Sequence, residues 1–307
     1  MQRALILLLV LGACATVSDD SQSDEQTVGG TQYMDILDFT PDQDAWLGIR
    51  NELRQELDEI CGDTFCEGEY ANLTALTFTC SVTSKRGKVK DCVWTFAASL
   101  AEVDPATAAI AVDAPTFQCH IRPTLTAKQL IALLAGRSDA LHVPLPGTTS
   151  IYEAIGECFE HPIGQTPITI SGEGSTYVSA DAYYTSTAYY LKWRSAHAAL
   201  VAGFDRICGD TFCGGDYSDL RSLDFVCAVT KSTGNVKGCE WVFGGSYMLA
   251  GPSLDVTSNT YRCPVTVKGT LSQLITTLTK DETTQAIDRP LPGTTASAYD
   301  ALLDCLP

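Results

Sequence analysis

From residue 40 onward the chain switches between two hydrophobic periods, and the switches come in the same order twice. Trp46, Ile49, Leu53, Leu57 and Ile60 recur at helical spacing, so they share one stripe of a predicted helix. Thr40, Pro41 and Gln43 predict its start as N-cap, N1 and N3 of a capping box, and Gly62 predicts its end. The period then drops to two. Leu76, Phe78, Cys80 and Val82 alternate with Thr77, Thr79, Ser81 and Thr83, the pattern of a half-buried strand. After a turn at 84–87 the alternation resumes in Cys92, Trp94, Phe96 and Ala98. Ala108, Ile110 and Val112 predict a third strand, and Phe117, Cys119 and Ile121 a fourth.

Two helices should close the unit. Thr126 and Gln129 form a second capping box, ended by Gly136; after Pro144-Leu145-Pro146-Gly147, Ser150 and Glu153 open the last helix. The series then returns. Tyr189, Trp193, Leu200, Phe204 and Ile207 form a stripe closed by Gly209, and an aromatic stripe of this kind is expected in a core. Leu223, Phe225, Cys227 and Val229 precede Cys239, Trp241 and Phe243, and matching boxes follow at Thr270/Gln273 and Ser297/Asp300. The expected fold is α+β: two tandem copies of one domain. Each copy would be an antiparallel sheet of three to four strands covered by an N-terminal helix and two C-terminal helices.

The cysteines follow the same repetition. Cys61, Cys66, Cys80, Cys92 and Cys158 recur 147 positions later as Cys208, Cys213, Cys227, Cys239 and Cys305, and Cys119 recurs 144 later as Cys263. Six thiols per unit overfill one tetrahedral zinc site, and no histidine recurs with them, so a disulfide framework is the better reading. Six cysteines allow 15 connectivities. The favoured set pairs Cys61 with Cys66, Cys80 with Cys92 and Cys119 with Cys158; the competing set joins Cys61 or Cys66 to Cys80.

Cys14 has no twin, and its setting explains why. One positive charge at Arg3 precedes the apolar run Ala4 to Leu11, which at about 1.5 Å per residue spans roughly 12 Å, too short for a membrane core of about 30 Å. The run ends in Leu11-Gly12-Ala13-Cys14. This resembles the lipobox of bacterial lipoproteins, with Leu at −3, small residues at −2 and −1, then Cys. The resemblance implies cleavage after Ala13 and acylation of Cys14, making lipid the membrane attachment. Ala15, in place of Asp, resembles the outer-membrane sorting pattern. The expected organisation is a signal peptide at 1–13 and an acidic flexible tether at 14–39. Repeat 1 then covers 40–160, a Gly/Ser/Thr/Tyr-rich linker or strap 161–187, and repeat 2 188–307. Tyr177-Val178-Ser179 could add an edge strand, and Tyr183, Tyr184, Tyr189 and Tyr190 lie near the junction, where burial between the domains or against the second helix is the first expectation and recognition the alternative.

Charge narrows the partners. The chain carries 20 Lys and Arg against 37 Asp and Glu, and its densest basic run is Lys85-Arg86-Gly87-Lys88-Val89-Lys90 in a predicted turn. Nucleic acid is therefore not an expected partner. The weak calcium candidates are Asp63, Glu69, Asp210 and Asp216, in matched loops after the first helix of each copy. No metal or other cofactor is otherwise expected. His120, His142, His161 and His197 have no histidine counterparts in the other copy, so no shared site can use them. The expectation is a lipid-anchored protein of the bacterial cell envelope, at the outer membrane, with a non-catalytic binding or structural role and an envelope or extracellular protein as partner. The alternative is an envelope hydrolase using a carboxylate or calcium site in one repeat.

Overall fold

The alternating segments pair into antiparallel ladders, and the helical stripes lie over them. A computed structural model describes residues 26–28, 30–64, 70, 72–170, 174–213, 219–280 and 285–307. In the first half, strands β1 (Gln26–Val28) and β2 (Thr31–Asp35) lead through a single turn α1 (Ile36–Phe39) into the long helix α2 (Gln43–Thr64). Strands β3 (Thr74–Thr83), β4 (Val89–Ala97), β5 (Leu100–Val103), β6 (Ile110–Asp113) and β7 (Thr116–Ile121) follow, then helices α3 (Ala127–Leu134) and α4 (Ile151–Cys158). The main sheet runs β1-β2-β3-β4-β7, while β5 and β6 pair only with each other.

The second half has β8 (Tyr177–Ser179), a turn α5 (Ala180–Tyr183) and the long helix α6 (Thr187–Thr211). Strands β9 (Arg221–Thr230), β10 (Val236–Leu249) and β11 (Asp255–Val265) and helices α7 (Leu271–Thr279) and α8 (Ala298–Leu303) complete it. Its sheet runs β11-β10-β9-β8. Each sheet buries its aromatic face under helices: Phe78, Trp94 and Phe96 under Trp46, Ile49 and Leu53, and Phe225, Trp241 and Phe243 under Trp193, Leu200 and Phe204. Among the described residues no helix is long and apolar enough to cross a membrane.

Helix placement departs from expectation at several points. Thr40 does not cap α2. Its N–H closes α1 on the Ile36 carbonyl, and Asp42 takes the cap, accepting from the Ala45 N–H at 3.1 Å. The helix continues through Gly62 to Thr64, and α6 continues through Gly209 to Thr211. Within the stretch expected as tether, 26–28 and 31–39 form strand and helix that extend the first sheet. The strap contributes β8 to the second sheet, paired with β9 through Tyr177–Thr230, Val178–Val229 and Ser179–Ala228. By contrast, the capping boxes at Thr126, Ser150, Thr270 and Ser297 all close as the spacing requires. Gly147 and Gly293 both take positive φ, and a Cβ would meet Thr124 Oγ1 at 2.1 Å or the Lys268 carbonyl at 2.4 Å, so only glycine fits.

The two sheets stack through their other faces, the ones that carry the polar half of the alternation. Ser81, Asp91 and Thr95 are fully buried, and Thr79, Thr116, Asp219 and Ser246 nearly so. The polar groups of the two halves satisfy one another. Ser246 presents its N–H to Asp219 Oδ1 at 2.7 Å and lies 2.8 Å from Thr95 Oγ1, while Thr77 donates to Asp219 Oδ2 at 2.6 Å. Asn72 donates to Ser99 Oγ and to the Leu223 carbonyl. A register shift in each sheet turns Leu76 and Leu223 away from the helix-covered face assigned to them by strict alternation. They meet instead in a small apolar cluster with Ala97, Val112 and Val242 between the sheets.

Cys80–Cys92 and Cys227–Cys239 join neighbouring strands, Cys119–Cys158 and Cys263–Cys305 join a strand to the end of the last helix of each half, and Cys208–Cys213 clamps the end of α6. Cys61 is also disulfide-bonded, and Cys66 lies outside the described residues.

Candidate functional site

The most prominent surface feature grows from the strap into the start of α6. Ser179 caps α5 by accepting from the Ala182 N–H, and the chain then turns at Tyr184 before α6 begins at Thr187. This brings Tyr183, Tyr184 and Tyr189 into one ladder. Tyr183 meets Tyr184 edge to face at 4.9 Å, and Tyr184 stacks on Tyr189 at 5.0 Å with 16° between planes. Lys192 Nζ sits 5.0 Å from the Tyr189 ring centroid, and Lys237 Nζ 5.8 Å from that of Tyr177. The ladder is anchored from below, because Tyr183 and Tyr184 pack against the second core. Its outer edge is open: Tyr189 is 49% exposed, Tyr190 38% and Leu191 56%. Tyr189 therefore does not join the core stripe. It lies a full turn before Trp193, the first fully buried position of α6. A shelf of preordered tyrosines beside an exposed Leu suits protein recognition, since each ring offers apolar area and a hydroxyl at small entropic cost.

A second cluster lies under the same helix. Asp224, on β9, is pushed up to about 6 by burial; its neighbour Asp181 adds to the rise, while the Phe225 N–H and Arg194 oppose it. His197 on α6 is pushed down, first by burial and then by Arg194, with Asp181 opposing. Its Nε2 is buried with no hydrogen-bond partner among the described residues. The residues 147 positions earlier are Thr77 and Arg50, so the first half lacks this pair. The signal in the sequence is a carboxylate where the matching strand has Thr, a difference that alternation of polar and apolar positions does not mark.

A third cluster joins the halves at Asp91. Burial alone would raise this carboxyl, but hydrogen bonds from His120, Ser253 and the Leu254 N–H, with the His120 charge, hold it below the usual range. His120 Nδ1 and Ser253 Oγ approach the same oxygen, Oδ2, at 2.9 and 2.7 Å, and Arg122 Nε lies 3.2 Å from Oδ1. This is not a nucleophile–base relay: the serine hydroxyl donates to the carboxylate and not to the imidazole. Asp91 here binds the β10–β11 loop of one half to the sheet of the other.

The remaining sequence candidates are scattered. His142 packs on Tyr152 with ring centroids at 4.6 Å, away from the other histidines. His161 donates its N–H to the Cys158 carbonyl at the end of α4. Glu69, Asp216 and Cys14 lie outside the described residues, and the side chains of Asp63 and Asp210 are likewise not described. Among the described residues no group of three or more His, Cys, Asp or Glu is placed to hold a metal ion. No protein-family model, no curated protein and no solved structure matches the chain.

Proposed function

We propose that this is a lipid-anchored bacterial envelope protein, built from two copies of one disulfide-braced domain, that binds a protein partner through the tyrosine shelf. The observation that carries the binding reading is the Tyr184–Tyr189 stack, with Tyr189, Tyr190 and Leu191 exposed beside it. Lys192 and Lys237 add positive charge beside the rings, which favours an acidic partner surface. The anchoring reading rests on Leu11-Gly12-Ala13-Cys14, and Ala15 favours the outer membrane. Duplication is supported by matched features beyond the cysteine spacing. Cross-strand bridges span 12 residues in both halves, and strand-to-helix bridges span 39 and 42. Asn72 accepts from the Ser99 N–H as Asp219 accepts from that of Ser246, each pair 147 positions from the other.

A specific observation favours a second reading, hydrolysis at Asp224. A carboxyl raised to about 6 with a second carboxyl, Asp181, near it, and a buried imidazole that shares Asp181 and Arg194 as its charged neighbours, is a pattern that acid–base sites use.

The experiment is in two arms. Mass spectrometry of the mature N-terminus should find an acylated cysteine at position 14, and an unmodified Cys14 overturns the anchoring reading. Photo-crosslinking from position 190 in whole cells should trap one partner, and Tyr189→Ser with Leu191→Ser should abolish the adduct while leaving the melting temperature unchanged. Crosslinking that persists in this variant overturns the shelf as the binding surface. If Asp224→Asn abolishes turnover of an envelope substrate, the hydrolytic reading replaces it.

A further inference from the structure

The corresponding corner of the first half carries no tyrosine ladder. The residues 147 positions before Tyr189 and Lys192 are Asp42 and Ala45, and both line an open groove of ≈ 770 Å³. Its walls are apolar, formed by Phe39 before α2 and by Ile131, Ala132 and Ala135 along and just beyond α3. Its rim carries Arg86, from the β3–β4 turn, and Lys128, from the first turn of α3. The turn is held against α3 by the Ala127 N–H on the Gly87 carbonyl, and Phe39 fills the space where a Cβ on Gly87 would fall, at 2.3 Å.

The densest basic run of the chain lies at this corner, flanked by the exposed carboxylates Asp38 and Asp44. Lys85, Arg86 and Lys88 are exposed on the turn and Lys128 is exposed beside it. None of the four is in an ion pair among the described residues. Asp42 also lines the groove, but its Oδ1 accepts from the Ala45 N–H at the start of α2, where the helix dipole takes up part of its charge. Two unpaired cations on the rim, Arg86 and Lys128, with Lys85 and Lys88 on the adjoining turn, beside an apolar slot within the volume range of small-molecule sites, match an amphiphile with an anionic head and a hydrocarbon tail.

We propose that this groove docks the protein on an anionic phospholipid bilayer, taking one acyl chain against Ile131 and Ala132 while Arg86 and Lys128 meet the phosphate. The proposal rests on the anchored reading for its place in the cell. If Cys14 carries lipid, the groove would seat the first half on the surface that the lipid reaches.

The test separates the two. The chain from Ala15 onward contains every element described and has no Cys14 to acylate, so its membrane binding reports the groove alone. It should co-sediment with vesicles of phosphatidylcholine and phosphatidylglycerol at 70:30. Binding to phosphatidylcholine alone should be about tenfold weaker, and binding to both should fall off in high salt. Arg86→Glu with Lys128→Glu should lower binding about tenfold, and Ala132→Trp, which fills the slot, should lower it with the circular dichroism unchanged. No binding, equal binding to both vesicles, or binding unaffected by these variants overturns the proposal. So does a groove variant that leaves vesicle binding intact but converts a dimer to a monomer, or exposes residues 15–25 to protease. Either outcome would assign the groove to a second copy or to the chain's own segment. An unacylated Cys14 in cells would refute the anchor without altering any vesicle result.

Discussion

Asp224→Asn should stabilise the protein, and only above acidic pH. The carboxyl is raised from 3.8 to about 6 in the fold. Below about pH 4 both folded and unfolded chains hold the proton, so burial of this group carries no ionic penalty. Between about pH 4 and 6 the unfolded chain ionises first, and stability falls as pH rises. Above pH 6 the loss is complete. About two pH units at 1.36 kcal/mol each amount to about 3 kcal/mol. Asparagine keeps an acceptor for the Phe225 N–H, now 2.8 Å from Asp224 Oδ1, and removes the charge. Urea titrations should therefore give matching midpoints for parent and variant at pH 4. At pH 8 the variant should be more stable by about 3 kcal/mol, roughly 6 °C in Tm for a domain pair of this size. A variant with the same stability difference at both pH values, or one weaker at pH 8, would refute the account of Asp224.

The bridges should differ by loop length. Cys80→Ala with Cys92→Ala opens a loop of 12 and should cost about 3 kcal/mol, whereas Cys119→Ala with Cys158→Ala opens one of 39 and should cost about 4, read by denaturation of each variant. Equal costs would count against the chain-entropy explanation. Asp219→Ala leaves the Ser246 N–H and the Thr77 hydroxyl buried without their acceptor, and should cost about 3 kcal/mol; Asp219→Asn, which retains one acceptor, should cost less.

Much of this architecture was legible because several independent signals agreed. Period-two alternation located β3, β4, β9 and β10, and the four capping boxes located α3, α4, α7 and α8, because both signals are local. What local pattern could not show was the other side of each sheet. Ser81 and Thr95 sit on the polar half of the alternation, yet they are buried, because the other half of the chain satisfies them as water would: Ser81 donates to the Gly251 carbonyl and Thr95 Oγ1 meets Ser246 Oγ. The extra residue at Leu76 and Leu223 breaks the alternation without any Gly or Pro to mark it. Thr40 matched a capping box, but Asp42 offered a competing cap two residues on, and tertiary packing at α1 decided between them. Of the candidate sites, the tyrosines were visible as composition, whereas Asp224 mattered only once α6 had covered it.

The inner faces have a consequence for anyone dissecting the molecule by truncation. Neither half would be a self-sufficient module. Cut apart, each would offer solvent a broad sheet surface bearing an outward Leu, together with carboxylates and hydroxyls whose counterparts had been removed. Half-length proteins should then be insoluble or pair with themselves in place of the missing half. Lost activity in such fragments would report collapse, and point substitutions in the intact chain are the sound route to assigning roles.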